Sequence, residues 1–308
     1  MLKIMVIRII KSKKFNLVLF IANIILLIVG LTKTSMLHEG FLGKLYYRFW
    51  QTNNENSAIA SVFAIHGLGG HCKWFDNAAI LFNKSNIDFF SFDLPGFGQS
   101  KYPKGTVDSY YMWTDTTKEI LQRFLVDFKV KSPVFILGHS MGALISILLS
   151  KTVRANGWIL SVPGFEGSKH CFPSSFVLPV MLKAILGSKE NIVLPYGPEV
   201  LTRNIDTQLK VKSDPLRIVN VNADIYKHVY FLALKAKNSS SFLVNPVMLI
   251  AAGEDMVCSH SAIERFFNEI KIKDKSMKIY TGFFHDLFIE DELEQVIEDL
   301  TKWIKVHV

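Results

Sequence analysis

Between Val134 and Leu149 the chain reads VFILGHSMGALISILL: a short apolar run, a Gly-His-Ser-Met-Gly turn and a longer apolar run, with no spacer. Few folds accept that succession. The first run has strand length and composition, and the second is long enough for a helix. A strand that turns straight into a helix needs small residues at the turn, and Gly138 and Gly142 flank Ser140. Such a turn lifts the Ser140 hydroxyl above the sheet, beside the free amides of a helix N-terminus. The five-residue pattern alone is weak, because a chain of 308 residues contains one by chance about one time in ten. Its place between a strand and a helix makes Ser140 a candidate nucleophile.

The rest of the chain repeats that rhythm. KLYYRFWQ and ASVFAIHG read as short strands separated by the polar turn TNNENS, and IDFFSFDLPGFGQS reads as a strand ending in a Pro-Gly loop. SYYMWTDTTKEILQRFLVDF has helical spacing, with Trp113, Ile120, Phe124 and Phe128 on one face. GWILSVPG, NPVMLIAAGEDM and KSMKIYTGFFHD supply later strands, and SAIERFFNEIKI and the closing DELEQVIEDLTKWIKVHV supply helices. Strands alternating with helices imply a mostly parallel central sheet covered on both faces. Between Gly164 and Ser241 the rhythm breaks, and this stretch holds five of the ten prolines with the apolar segment FVLPVMLKAIL. An ordered apolar insertion of that length, about 165–240, is expected to form a lid over a cleft. A packed helical subdomain without gating is the alternative.

A serine hydroxyl needs a base, and the base needs an orienting acid. In this architecture they follow the serine in the order acid then histidine, each on a loop after a later strand. Asp255 follows VMLIAAG, and His285 follows MKIYTGF. Glu254 and Asp286 are the substitutes for the acid. His260 and His307 are poorer bases, one at a helix and one near the terminus. Oxyanion donors would come from the Gly-rich turn AIHGLGGH and from the residue after the nucleophile, which gives the amides of Leu68 and Met141. His66 and His71 are expected to shape that turn, and His139 to pack beside Ser140. Cys72, Cys171 and Cys258 are odd in number and lack metal-ligand spacing, so neither a disulfide framework nor a zinc site is expected.

HGLGGH, FDLPGFGQS, GHSMGALI, GWILSVP, VKSDPL and MKIYTGFFHDLFIEDELEQV stand in an order that resembles the monoglyceride lipase and lysophospholipase branch of the α/β-hydrolases, often grouped with serine aminopeptidase-like enzymes. The likeness covers about residues 40–308. It implies an α/β-hydrolase fold, with Ser140 as nucleophile, Asp255 as acid, His285 as base and Leu68 and Met141 as oxyanion donors. It also implies that Cys258 lies near the cleft and confers thiol sensitivity. Ala143 and LPGFG depart from the usual forms of these motifs. The resemblance implies cleavage of a fatty-acyl ester of monoacylglycerol or lysophospholipid, with no cofactor. A serine aminopeptidase, a short-chain carboxylesterase and an acyltransferase are alternatives on the same fold. A non-catalytic binding protein of this fold typically lacks a triad member, and all three are present.

The formal net charge of +8 raises the question of a nucleic-acid partner. Residues 1–31 hold Lys3, Arg8, Lys11, Lys13 and Lys14 with no acidic residue, so the remainder carries 30 basic against 27 acidic residues. The basicity belongs to the N-terminus, and a nucleic-acid partner is not expected. The apolar stretch from Phe15 to Leu31 has 17 residues, at the lower limit of a membrane span, about 17–25 residues. Residues 1–35 are therefore expected to form a helical signal anchor, with the catalytic domain on the extracytoplasmic side by the positive-inside rule. A signal peptide cleaved after Thr34, giving a secreted or periplasmic protein, is the alternative. Oligomeric state has no sequence signal.

Overall fold

Strand side chains that alternate between two apolar faces build the centre of the molecule. The structure, a computed structural model, describes residues 36–52 and 58–308. Its main sheet contains β1 (Met36–Leu42), β2 (Leu45–Gln51), β3 (Ala60–Ile65), β4 (Ile87–Phe92), β5 (Val134–His139), β6 (Gly157–Ser161), β9 (Val247–Ala252) and β10 (Lys275–Tyr280). Their spatial order is β1-β2-β4-β3-β5-β6-β9-β10. The pairs β1/β2 and β2/β4 are antiparallel, and all other pairs from β4 to β10 are parallel. Along β3 the period of two is direct: Phe63 and Ile65 face one core, whereas Val62 and Ala64 face the other.

Helices cover both faces. The first core packs α2 (Tyr110–Asp127), α3 (Met141–Leu149), α6 (Ala223–Lys237) and α7 (His260–Glu269), and the second packs α1 (Asp76–Lys84) and α8 (Leu293–Val306). The Ser109 hydroxyl caps α2 by accepting from the Tyr111 amide at 3.2 Å. Trp113, Ile120 and Phe124 are buried on its inner face, and Phe128 is half-buried just beyond its end. The strand and helix expectations of the previous section correspond to β2 through β6, β9, β10, α2, α3, α7 and α8. Outside the insertion, two elements had no counterpart there. Strand β1 begins at Met36, ahead of residue 40, and is a half-exposed edge strand without a clean apolar alternation. Helix α1 has nine residues, too few for a clear period.

Between Ser161 and Val247 lie α4 (Ser174–Ile185), β7 (Asn191–Val193), α5 (Ile205–Ser213), β8 (Asn220–Asn222) and α6, with β7 and β8 paired antiparallel. The insertion is thus helical with one small ribbon. It rests on the loops at the carboxyl ends of the strands. The Ile218 amide donates to the Gly69 carbonyl at 3.0 Å, and the Asn222 amide donates to the Gly105 carbonyl at 2.7 Å. The expected N-terminal helix lies outside the described residues. No described helix is long and apolar enough to cross a membrane.

The turn glycines are required by space. A Cβ on Gly142 would overlap the Ile65 carbonyl, and one on Gly138 would overlap the Gly142 carbonyl and the Ser146 hydroxyl. Gly142→Ala is therefore expected to cost about 3 kcal/mol or more, because backbone cannot yield as a side chain can. Urea unfolding of the variant against the wild-type chain measures that cost. A loss under about 1 kcal/mol would mean that the strand-to-helix packing is looser than described.

Candidate active site

Ser140 is the hinge between β5 and α3, and its backbone is strained, with φ +54° and ψ −113°. A non-glycine residue holds such a conformation only when its surroundings fix it, at about 1–3 kcal/mol. Here the Ser140 amide donates to the Ser161 carbonyl at 2.8 Å, and its carbonyl accepts from the amides of Ala143 at 3.1 Å and Gly164 at 3.3 Å. The hydroxyl is thereby held over the start of α3, where the helix dipole favours negative charge.

The loops after β9 and β10 bring the other two residues to it. His285 Nε2 lies 3.1 Å from Ser140 Oγ, and His285 Nδ1 lies 3.0 and 2.9 Å from the two Asp255 carboxylate oxygens. Facing a carboxylate, Nδ1 carries the proton and leaves Nε2 as the acceptor for the serine hydroxyl. Asp255 Oδ1 also accepts the amides of Val257 at 2.8 Å and Cys258 at 2.9 Å, so the carboxylate cannot rotate away. The His285 and Asp255 side chains are 5% and 1% exposed, so water screens the pair weakly. Burial is the largest single influence and lowers the His285 ring, but the Asp255 carboxylate and the neighbouring Cys258 together outweigh it and hold the imidazole well above its ordinary value. Burial likewise works to raise Asp255, and the facing His285 with the two amides brings the carboxyl below its usual range. Burial also pushes up the Cys258 thiol, whose sulfur lies within 4.8 Å of ligand atoms of both Asp255 and His285. At neutral pH that sulfur is an uncharged neighbour of the pair. All three cysteines are free and buried.

The other acids and histidines stand elsewhere. Glu254 is exposed. Asp286 is buried with its carboxylate 3.6 Å from His139 Nε2, it accepts the Phe288 amide at 3.1 Å, and burial pushes it up to about 6. His139 Nδ1 lies 3.2 Å from the Ser161 hydroxyl. His66 Nδ1 lies 2.8 Å from the Gly67 carbonyl and its Nε2 accepts the Leu94 amide at 2.9 Å, while burial lowers the ring to about 4. His66 is thus a neutral tie between the Gly-rich turn and the LPGFG loop. His71 Nε2 meets the Asp214 carboxylate of the insertion at 2.7 Å. His260 begins α7, and His307 bonds the Trp303 carbonyl near the terminus.

Leu68 and Met141 flank Ser140 in the wall of one apolar cavity of about 350 Å³. Among the described residues, neither the Leu68 nor the Met141 amide donates to another group. The cavity runs under the insertion, where Phe172, Val180, Met181, Tyr226 and Ala233 form much of its wall. Two residues with no motif of their own complete the site. The Tyr196 hydroxyl donates to the Leu68 carbonyl at 3.1 Å and steadies the Gly-rich turn. Gly164 leaves the space before the nucleophile open, since a Cβ there would stand 3.7 Å from both Ser140 Oγ and Met141 N. An arrangement of this kind can move a proton from a hydroxyl to an imidazole while free amides await an oxyanion.

Residues 56–292 match the family described as serine aminopeptidase, S33. The chain is 26% identical over 272 residues to the monoglyceride lipase of Rattus norvegicus, covering 84% of this chain and 86% of the relative. It is 26% identical over 255 residues to phospholipase YtpA of Bacillus subtilis, covering 78% and 93%. In fold it is similar to a soluble variant of monoglyceride lipase from Saccharomyces cerevisiae, with TM-score 0.79 and 20% identity over 90% of this chain and 97% of that one. With its parallel sheet, its serine elbow and this match, the chain belongs to the serine aminopeptidase, S33 family of α/β-hydrolases, as a lipase- and esterase-type serine hydrolase distantly related to the monoglyceride lipases.

Proposed function

We propose that this chain hydrolyses a fatty-acyl ester of monoacylglycerol or lysophospholipid through an acyl intermediate on Ser140. The observation that carries the reading is the Ser140–His285–Asp255 chain opening directly into an apolar cavity. His285 Nε2 takes the hydroxyl proton as Ser140 Oγ attacks the ester carbonyl, and the oxyanion receives the Leu68 and Met141 amides. The protonated ring then gives its proton to the leaving alcohol oxygen as that bond breaks. In the second half His285 takes a proton from water, the resulting nucleophile attacks the acyl carbon, and the fatty acid leaves as Ser140 recovers its proton. Asp255 keeps the ring in the required tautomer throughout.

Two features favour a lipid over a peptide. The cavity carboxylate that could hold a free amino terminus, Glu166, is already paired with Lys237 at 2.6 Å and Arg265 at 3.0 Å. On α4 and just past its end, Leu178, Leu182, Ile185 and Leu186 are exposed along one face, which suits a surface that meets a bilayer. The test is fatty-acid release from monoacylglycerol and lysophosphatidylcholine, with Ser140→Ala as control. Release from neither, with turnover of an N-terminal peptide amide, would move the chain to peptide chemistry.

If the acyl chain lies in the cavity, filling it changes length preference. Ala233→Trp is expected to reduce kcat/KM for a long-chain ester at least roughly tenfold relative to a short-chain ester, since the indole occupies space the chain needs. An unchanged ratio would place the acyl chain elsewhere.

We also propose that residues 1–35 anchor the chain, with the catalytic domain on the extracytoplasmic side. Support comes from the five basic residues that precede or open the apolar stretch. Removing residues 1–35 is expected to shift the protein from the washed-membrane fraction to the soluble fraction. Equal retention would locate the membrane contact in the folded domain.

A further inference from the structure

The base stands on a loop without regular structure of its own. Between Tyr280, where β10 ends, and Leu293, where α8 begins, residues 281–292 form no helix or strand. Asp255 orients the His285 ring, but it does not fix the backbone that carries the ring. That backbone is held by a seam with residues 200–203 of the insertion. The Asp286 amide donates to the Leu201 carbonyl at 2.9 Å, and the His285 amide reaches the Val200 carbonyl only at 3.5 Å. The amide before them, that of Phe284, donates instead to a side chain, the Glu290 carboxylate, at 2.8 Å.

Glu290 has no part in the proton transfers described above, yet its side chain is fully buried. Withdrawing a carboxylate from water is costly unless donors surround it. Here they come from both sides of the seam. Oε1 takes the Phe284 amide, Oε2 takes the Thr202 hydroxyl at 3.0 Å, and the Arg203 amide is shared between the two oxygens at 3.3 and 3.2 Å. The Arg203 guanidinium adds its Nε at 3.5 Å from Oε2. One carboxylate thus spans the residue before the base and the insertion segment opposite it. Hydrogen bonds to such a group are roughly twice as strong as those between neutral partners.

We propose that Glu290 is a positioning residue for the reaction. It fixes the His285 loop against residues 202–203 and so sets the reach of Nε2 to Ser140. The proposal rests on the serine-hydrolase reading above. The competing role is that of a fastener, which stabilises the fold without deciding where the base stands. Neither Glu290 nor Thr202 lines the apolar cavity, so substrate is expected to bind alike with or without the strut. Every partner of the carboxylate is a donor, so a glutamine there satisfies one side of the seam and turns its own N–H groups toward the other.

The measurement is kcat and KM for one acyl ester, with the rate of fluorophosphonate labelling of Ser140, in wild type, Glu290→Gln and Thr202→Val. All are compared at a temperature where thermal unfolding shows each protein folded. Glu290→Gln is expected to lower kcat roughly 10- to 100-fold with KM within about twofold, the scale of loss that a displacement of about 1 Å brings. Labelling, which needs the base but not the ester, is expected to slow by a similar factor. Thr202→Val removes one donor and keeps the carboxylate, and is expected to lower both rates at least roughly threefold at unchanged KM. It decides the matter if Glu290→Gln does not fold. A lower unfolding temperature with kcat and labelling within about twofold of wild type would make Glu290 a fastener and overturn the proposal. A raised KM at unchanged kcat would overturn it too, by placing the effect on substrate binding. Absent labelling of wild-type Ser140 overturns the hydrolase reading first and this proposal with it, whereas normal labelling that neither variant slows overturns only the proposal.

Discussion

Replacing Ser140 with alanine is expected to lower kcat by roughly a millionfold, the size of loss met when a triad nucleophile is removed. The fold should survive, because alanine fits the same space and the amide and carbonyl bonds of residue 140 are made by backbone. Thermal unfolding will therefore separate loss of chemistry from loss of structure. A companion change isolates the strain. Ser140→Gly is expected to be more stable than Ser140→Ala by about 1 kcal/mol, since glycine tolerates the positive φ that alanine resists. Fatty-acid release persisting in Ser140→Ala within tenfold of wild type would end the reading of Ser140 as nucleophile.

Asp255→Asn is expected to cost roughly ten-thousandfold in kcat, because an amide facing His285 Nδ1 stabilises the wrong tautomer. The pH profile carries the more specific signature. The base must be unprotonated at Nε2, and Asp255 holds the ring well above its ordinary value. In wild type, kcat/KM should therefore rise as pH climbs through that raised value, above the histidine norm of about 6.5. Removing the carboxylate takes away the strongest influence that raises the ring and leaves burial, which lowers it, with less to oppose it, so the residual activity should hold to lower pH. A limb that stays in place would mean that another group sets it, with Asp286 the first to change next.

What the sequence made legible was local chemistry and continuous apolar runs. Ser140 is announced by its flanking glycines, and Asp255 and His285 by the strands that deliver them. Each signal lies within about ten residues of the group it marks. The parallel strands β3 through β6 read well because burial on both faces makes them apolar throughout. Strand β1 was hidden because this edge strand carries only exposed and half-buried positions, with no buried one to mark a core face. Gly164 and Tyr196 were illegible for another reason. Each reaches the site from the insertion or its margin, and only the packing of residues far apart in the chain decides what it meets. Glu166 illustrates the same limit, since its partners lie 71 and 99 positions away.

The second half of the insertion is stitched to the turn that carries Leu68. Ile218 bonds Gly69, Tyr196 bonds Leu68, and Asp214 bonds His71 and Trp74. A Cβ on Gly69 would meet Leu194 at 2.8 Å and the Ile218 carbonyl at 2.9 Å, so the two segments fit without slack. Chimeras follow a rule from this. A graft from a relative that replaces only the α4 region exchanges the outer roof and leaves the stitching intact. A graft that also crosses residues 194–218 replaces half of a matched seam, and the donor sequence must then bring its own version of the Gly-rich turn.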